Sequence, residues 1–504
     1  MPAGALVLGL AFGLLGAAPI VQPVAGTSAW ASDDVAKLGA DLDAMIAASP
    51  ALRGAHFGIY AVDTATGDVL YDRDADREIQ PASTLKLVVG SAALDDLRPA
   101  FAFRTTLAFA SEPGVDGSRS LVMTMAGDPT FSYADVKQAL QALPAGPIDA
   151  AYVDDSAFDD RPYPAGWTWD DFAQDYAPSV SAATLDENVV SLDVAPGAKV
   201  GERARVRFDD GRPFKIALDR SCDPAANDLI VVARATTGAA GSDDTIDVAR
   251  TPDGCPKIIG SIPLGAAPES IGAAVPNPLV AVHLAILRAL APAVVTRATP
   301  ALGTGAIETY VRPPERLLVK APFWTHDSRP LSELLGPRFW VPSDNLFGEL
   351  LLKELGLATR GKPGTTDKGI ATEKAWLRSI GVDTATVTLA DGCGMSQYDR
   401  ITPHDLVTIL QHDWNGPDHQ LVLDSLPVGG ARGTIEGIAG TPAAGRVFAK
   451  TGSMMHVRGL AGYLATVQHG AVTFAFNVDD WNGDYPSLAA LRAQVLSRIV
   501  TDGS

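Results

Sequence analysis

Basic residues are scarce in this chain. Forty Lys and Arg stand against 59 Asp and Glu over 504 residues, a formal net charge of −19 at pH 7. Nucleic acid is not expected as a partner, because the average field repels a polyanion and no local cluster of Lys and Arg overrides it. The same acidity weakens attraction to anionic lipid heads. Cysteine is scarcer still, with three residues and no CxxC pair. The eight histidines form neither HExxH nor another compact ligand spacing. A zinc hydrolase is therefore disfavoured, although ligands gathered from distant positions stay open, and no cofactor is expected. Beyond residue 31 no apolar run is long enough to span a bilayer. Apolar residues nonetheless make up 47% of the chain, so its bulk should fold, and its length favours several domains with at least one substantial core.

The first 31 residues read as a targeting segment. Ala3 to Ile20 carry no charge, and Ala29-Trp30-Ala31 places small residues where a signal peptidase needs them, ahead of polar Ser32-Asp33-Asp34. Cleavage after Ala31 and export are expected. The missing Lys or Arg before the apolar stretch leaves an atypical signal, a misassigned start or an uncleaved anchor as alternatives. In an exported protein Cys222 and Cys255 could close a local disulfide, leaving Cys393 over.

From residue 32 to 98 the pattern is α/β. Val35, Leu38, Leu42 and Met45 recur at helical spacing, with Asp33 or Asp34 available as a cap. His56–Val62 and Val69–Tyr71 are strand candidates around a turn at 63–67, and Leu85 to Leu94 continue as a helix. The texture changes over 99–313, where short strand candidates such as 204–208, 214–218 and 229–233 lie among Gly, Pro and Asp. One or two largely β inserted domains are expected there. Residues 314–504 return to α/β, with helices around Ser343, strands at 447–449, 460–467 and 472–478, and a closing helix through Leu488, Leu491, Val495 and Ile499. The two terminal parts are expected to form one domain around the insertion.

Three separated motifs carry chemistry. Ser83-Thr84-Leu85-Lys86 is an SxxK sequence, which is weak alone because a helix cap followed by a solvated lysine looks the same. If Ser83 opens a helix, Lys86 lies one turn away on the same side and, with a lowered pKa, can take the hydroxyl proton of an acyl-bearing nucleophile. Ser343-Asp344-Asn345 supplies a hydroxyl for proton relay and an amide to orient substrate or lysine, although cap or turn chemistry is the commoner use of such a triplet. Lys450-Thr451-Gly452 follows a strand candidate and offers a cation and a hydroxyl for a substrate carboxylate, with a glycine for close backbone approach. The next N–H, of Ser453, can pair with that of Ser83 around an oxyanion. A charged edge strand is the bland alternative. In this order, SxxK, SDN and KTG match the catalytic set of penicillin-binding proteins and class A β-lactamases.

The chain resembles the class C low-molecular-mass penicillin-binding proteins, the D-alanyl-D-alanine carboxypeptidase/endopeptidase family. The likeness extends to Gly127-Asp128-Pro129-Thr130, to Pro164 through Asp171, to Asp391-Gly392-Cys393-Gly394-Met395-Ser396, to Ser425 through Gly430, and to Ala449-Lys450-Thr451-Gly452-Ser453. It implies a transpeptidase-like serine hydrolase domain of α/β class, interrupted by inserted domains between Ser83 and Ser343, which stand 260 residues apart. It also implies Ser83 as nucleophile, Lys86 as base, and Ser343, Asn345 and Lys450 as catalytic partners. Thr451, Gly452, Ser453, Ser396 and Asp171 would serve substrate binding, Asp171 by recognising the amino group of a diamino-acid side chain unless it is an exposed salt-bridge residue. Expected partners are peptidoglycan stem peptides ending in D-Ala-D-Ala, D,D-crosslinked muropeptides, and β-lactams that acylate Ser83, in the periplasm or another extracytoplasmic compartment. Cys393 stands where the family block has serine, and small-residue packing is the favoured reading. Arg432 replaces a position that is often acidic.

Two other functions compete. A serine β-lactamase or esterase would use the same Ser/Lys chemistry and would release a penicillin adduct fast instead of holding it. A noncatalytic cell-wall binding protein would keep the pocket without acylation.

Overall fold

The computed structural model describes residues 19–26, 29–111, 119–146, 148–208, 215–217, 230–290, 312–314, 317–435, 437–481 and 483–501. Alternation decides its central sheet. In the strand His56–Asp63, Phe57, Ile59 and Ala61 join one apolar cluster while Tyr60 and Val62 meet another, the period of two of a strand covered on both faces. Five antiparallel strands follow in the order Val447–Met454, Val457–Ala465, Ala471–Asp479, His56–Asp63, Val69–Arg73. Segments from both ends of the chain thus share one sheet, with His56 opposite Asp479.

One face is packed by the helix Ser32–Ala47, through Leu38, Leu42 and Ile46, and by Tyr485–Val500, through Leu488, Leu491 and Leu496. Asp33 and Asp34 lie inside the first turn and do not cap it; Ala31 is the N-cap residue, so the acidic pair meets the positive helix end instead. Against the other face lie Lys86–Asp96, Asn345–Arg360 and Pro403–Asn415, contributing Leu87, Val88, Phe347, Leu351, Leu406 and Leu410. Phe476 is fully buried and meets Phe57 edge to face with ring centroids 6.2 Å apart. Phe476→Ala is expected to cost about 3–5 kcal/mol, because the cavity cannot collapse in a two-sided core. A lower denaturant midpoint is the measurement.

Among the described residues of the insertion, four small sheets account for most of the regular structure. Arg104–Phe109, Arg119–Thr124 and Ile148–Asp154 form one with Trp324–Asp327, a strand C-terminal of residue 313. The expected strands at 204–208, 214–218 and 229–233 correspond to Arg205–Phe208, Lys215–Ala217 and Ile230–Ala233. Phe214, Leu218 and Leu229 lie outside the described residues. The helices Tyr133–Gln141 and Pro278–Leu290 pack on this β structure. The architecture is α/β, with a sheet-and-helix core and several β-sheet insertions.

Most of the expected leader, and Cys222 of the expected Cys222–Cys255 pair, fall outside the described residues. The stretch that is described lies against the fold: Val21 N–H donates to the Gly445 carbonyl at 2.9 Å, and Trp30 stacks on His469 at 4.4 Å. Among the described residues no helix is long and apolar enough to cross a membrane.

Asp413 lies buried on the Pro403–Asn415 helix and accepts a hydrogen bond from Ser91 Oγ at 2.7 Å. Burial pushes its carboxyl from 3.8 up to about 8. The folded chain therefore holds a proton that the unfolded chain releases. The stability this allows is complete below the unfolded value and is lost as pH rises through about 8. Asp413→Asn is expected to flatten the fall in unfolding free energy across this window, by up to about 1.4 kcal/mol per pH unit. Denaturant titrations at a series of pH values read it out.

Candidate active site

Ser83 lies in the 3-10 turn Ala82–Leu85, which runs into the helix Lys86–Asp96. Ala82 before it has φ +48°, a left-handed conformation unfavourable for a residue with a Cβ. The turn brings the Lys86 side chain back under the serine. Lys86 is wholly buried, and Nζ meets three acceptors: Ser83 Oγ at 2.8 Å, Asn345 Oδ1 at 2.6 Å and the Cys393 carbonyl at 2.7 Å. Burial lowers its pKa from the ordinary 10.5, opposed by the negative ends of Cys393, Asp391, Asp344 and Glu349. A neutral Lys86 would have two N–H bonds, one for each fixed oxygen. Its lone pair would then face Ser83, the arrangement a general base requires.

Asn345 opens the helix Asn345–Arg360, capped by Asp344, whose Oδ1 accepts from Phe347 N–H at 2.8 Å. Asp344 is thus a capping residue, as a Ser-Asp-Asn triplet read as local structure predicts. Ser343, just before it, has φ +63° and takes a hydrogen bond from Lys450 Nζ at 2.8 Å. Two lysines from separate elements thus converge on the three-residue turn 343–345. Asn345 also donates through Nδ2 to the Tyr176 carbonyl at 2.7 Å.

Lys450, Thr451 and Gly452 lie on Val447–Met454, the edge strand of the central sheet. A Cβ on Gly452 would stand 2.6 Å from the Pro81 carbonyl and 3.1 Å from Ser83 N, so only glycine lets this strand lie against the Ser83 turn. The lysine does not project into the open as a free cation for substrate. It is wholly buried, with Nζ bound to Ser343 Oγ and to the Thr451 carbonyl at 2.8 Å. Burial and the nearby Lys86 charge hold its pKa well below the usual value. The Thr451 hydroxyl meets that of Thr434 at 2.5 Å.

This cluster lies within a sequence that matches the pattern of the D-Ala-D-Ala carboxypeptidase 3 (S13) family over residues 38–496. The chain is 33% identical over 470 residues to a D-alanyl-D-alanine carboxypeptidase of Actinomadura sp. (strain R39), covering 90% of this chain and 81% of that one. The chain belongs to the S13 family. It is also 23% identical to the D-alanyl-D-alanine carboxypeptidase DacB of Haemophilus influenzae, over 86% of this chain and 88% of the relative. Its fold is that of the crystal structure of penicillin binding protein 4 from Haemophilus influenzae, with TM-score 0.75 and 19% identity over 92% of this chain and 99% of that one.

The remaining expected residues of this S13 chain divide. Asp171 is half-buried, and its carboxylate is held by hydroxyls: Oδ2 accepts from Thr168 Oγ1 at 2.5 Å and Oδ1 from the Tyr176 hydroxyl at 2.9 Å. Because the Tyr176 carbonyl also binds Asn345, the Asp171 carboxylate is tied to the centre through one residue. Ser396 is not presented to the site. It is wholly buried, donating to the Ala165 carbonyl at 2.8 Å and accepting from Tyr398 N–H at 3.1 Å. Ser453 is exposed on the edge strand beside Gly452. Cys393 is free, buried beside Trp167 and Ala177, and burial pushes its thiol well up. Its carbonyl, and not its sulfur, reaches Lys86. Arg432 donates through Nη2 to the Asp424 and Leu426 carbonyls, each at 2.7 Å, and so ties its loop to the end of the preceding helix.

Proposed function

We propose that Ser83 is the acyl-bearing nucleophile of this serine-type D-Ala-D-Ala carboxypeptidase/endopeptidase of peptidoglycan processing. Neutral Lys86 takes the Ser83 hydroxyl proton as Oγ bonds to the carbonyl carbon of the penultimate D-alanine. The N–H groups of Ser83 and Ser453 receive the oxyanion. The C–N bond then breaks as the leaving amine takes the Ser343 hydroxyl proton and Ser343 regains one relayed from the Lys86 ammonium, so that terminal D-alanine departs and Lys86 is neutral again. Water attacks the ester with Lys86 again as base, and the shortened peptide is released. A crosslink between D-alanine and a diamino acid is cut by the same steps, with the diamino acid as leaving group.

The observation that carries this reading is the threefold coordination of Lys86 Nζ, which fixes the direction of the base toward Ser83. Thr451 and Thr434 supply hydroxyls for the terminal carboxylate, and Asp171 an acceptor for a side-chain ammonium. The substrates are stem peptides ending in D-Ala-D-Ala and D,D-crosslinked muropeptides in an extracytoplasmic compartment. β-Lactams acylate Ser83 because their strained carbonyl presents the same electrophile.

Purified protein incubated separately with pentapeptide and with crosslinked muropeptide, followed by mass spectrometry, tests the proposal. Metal-independent loss of one D-alanine, or of the crosslink, is expected, together with a penicillin mass on the Ser83 peptide. No processing of either substrate and no adduct would overturn it.

A further inference from the structure

The loop 391–396 supplies Lys86 with a backbone carbonyl, and a carbonyl has no fixed direction unless its peptide plane is held. Asp391 holds this one, through the Gly394 N–H that shares the plane of the Cys393 carbonyl, and Glu349 holds the two planes before it. Asp391 Oδ1 accepts from Gly394 N–H at 2.7 Å, and Oδ2 accepts from Ser396 N–H at 2.7 Å and Trp167 Nε1 at 2.8 Å. Glu349 Oε1 accepts from Gly392 N–H at 2.8 Å and Cys393 N–H at 2.9 Å. The loop is also pressed against the Asn345–Arg360 helix: a Cβ on Gly392 would stand 2.6 Å from the Gly348 carbonyl, and one on Gly348 3.1 Å from the Gly392 carbonyl. Glu349 lies one helical turn after Asn345, on the same side of that helix. One helix therefore sets both oxygens that the lysine needs, directly at Asn345 and through Glu349 at Cys393.

Glu349 is an expensive way to hold two N–H groups if holding the fold together is its whole role. It is wholly buried, its Oε2 has no hydrogen-bond partner among the described residues, and burial with the neighbouring Asp391 pushes its carboxyl from 4.5 up to about 8. Asp391, Cys393, Glu373, Asp399 and Lys86 are the titratable groups that share this interior with it. Such a site is unfavourable for folding unless it serves something else.

We infer that Glu349 is the positioning residue of the Lys86 base: it fixes the Gly392–Cys393 backbone so that the Cys393 carbonyl holds Nζ and the lone pair is left to Ser83. The inference rests on Lys86 acting as the base. It concerns the acceptor function of the side chain, not its charge, so glutamine should replace glutamate.

Glu349→Gln and Glu349→Ala, with Lys86→Ala alongside, are assayed for the second-order rate of penicillin acylation across pH, with thermal melts as a control. Glu349→Gln keeps an oxygen for both N–H groups, and its plateau rate should stay within about threefold of the parent. Glu349→Ala should fall about 100-fold, the scale of a misplaced catalytic group. Its acidic limb should also move to lower pH, because an ammonium that loses an acceptor gives up its proton more readily. A residue that only supported the fold would lower the melting temperature and leave Glu349→Ala with the same limb as Glu349→Gln, in which any charge on Glu349 is equally lost. If Glu349→Ala does not fold, Glu349→Asp, one methylene short of the loop, is measured in its stead. The inference is overturned if Glu349→Ala or Glu349→Asp matches the parent in plateau and limb, or if Glu349→Gln is as slow as they are. Lys86→Ala separates the two layers: a parental rate there removes the base assignment itself, whereas an inactive Lys86→Ala beside a parental Glu349→Ala removes only the role of Glu349.

Discussion

Ser83→Ala protein should acquire no penicillin mass and should release D-alanine at least about 10³-fold more slowly than the parent, the scale of loss when an acyl-bearing serine is removed from a working triad or dyad. The small volume change leaves the turn 82–85 intact, so melting should be unaltered. Lys86→Ala tests the other half of the pair and should differ in kind. Its Ser83 hydroxyl survives, and a slow adduct should still accumulate, but the rate should drop about 10²- to 10⁴-fold, the usual contribution of a positioned base. The pH profile separates base catalysis from packing. In the parent, acylation should rise as Lys86 sheds its proton and level off below the ordinary lysine value of 10.5, because burial disfavours the ammonium. In Lys86→Ala that limb should vanish. Stopped-flow acylation followed by intact mass across pH measures both. A limb that persists without the lysine would assign it to another group.

The strand His56–Asp63 was legible as a short apolar run ahead of a turn. Its division between two layers, with Phe57, Ile59 and Ala61 on one and Tyr60 and Val62 on the other, belongs to the fold. Motif spacing singled out Ser83, Lys86, Ser343, Asn345 and Lys450, and hydrogen bonds join them in two sets, Ser83–Lys86–Asn345 and Lys450–Ser343, that meet at the turn 343–345. The direction of a side chain was not legible. Lys450 reads as a cation offered to a substrate carboxylate, yet it lies wholly buried with Nζ bound to Ser343 Oγ and the Thr451 carbonyl. Ser396 reads as available, yet its hydroxyl ties Ala165 to Tyr398. The part played by Cys393 was invisible for a different reason: a main-chain carbonyl binds Lys86, and every residue type has one. Glu349 did leave a trace, as a lone acid between Leu346, Phe347, Leu350 and Leu351 on the apolar side of a helix. Read as a buried acid in search of donors, that signal points at the loop it holds.

Lys450→Met and Ser343→Ala should each lower kcat on a D-Ala-D-Ala peptide by about 10²- to 10³-fold, and the double variant should be little worse than the slower single. The reason is that Nζ of Lys450 donates to Ser343 Oγ at 2.8 Å, so the lysine orients the hydroxyl whose own proton goes to the departing amine. Groups that act as one unit lose their function once, not twice. Methionine fills the buried volume without a charge, so a melt close to the parent's would exclude collapse as the cause. A lysine that gripped the terminal carboxylate directly would give the opposite split, with KM raised and kcat little changed. That split is expected instead for Thr451→Val, which removes only the hydroxyl beside Thr434 and keeps the strand's shape. Steady-state kinetics on the four variants distinguish the cases. A purely KM effect in Lys450→Met would return the cation to the substrate carboxylate and leave Ser343 oriented by the turn at φ +63° alone.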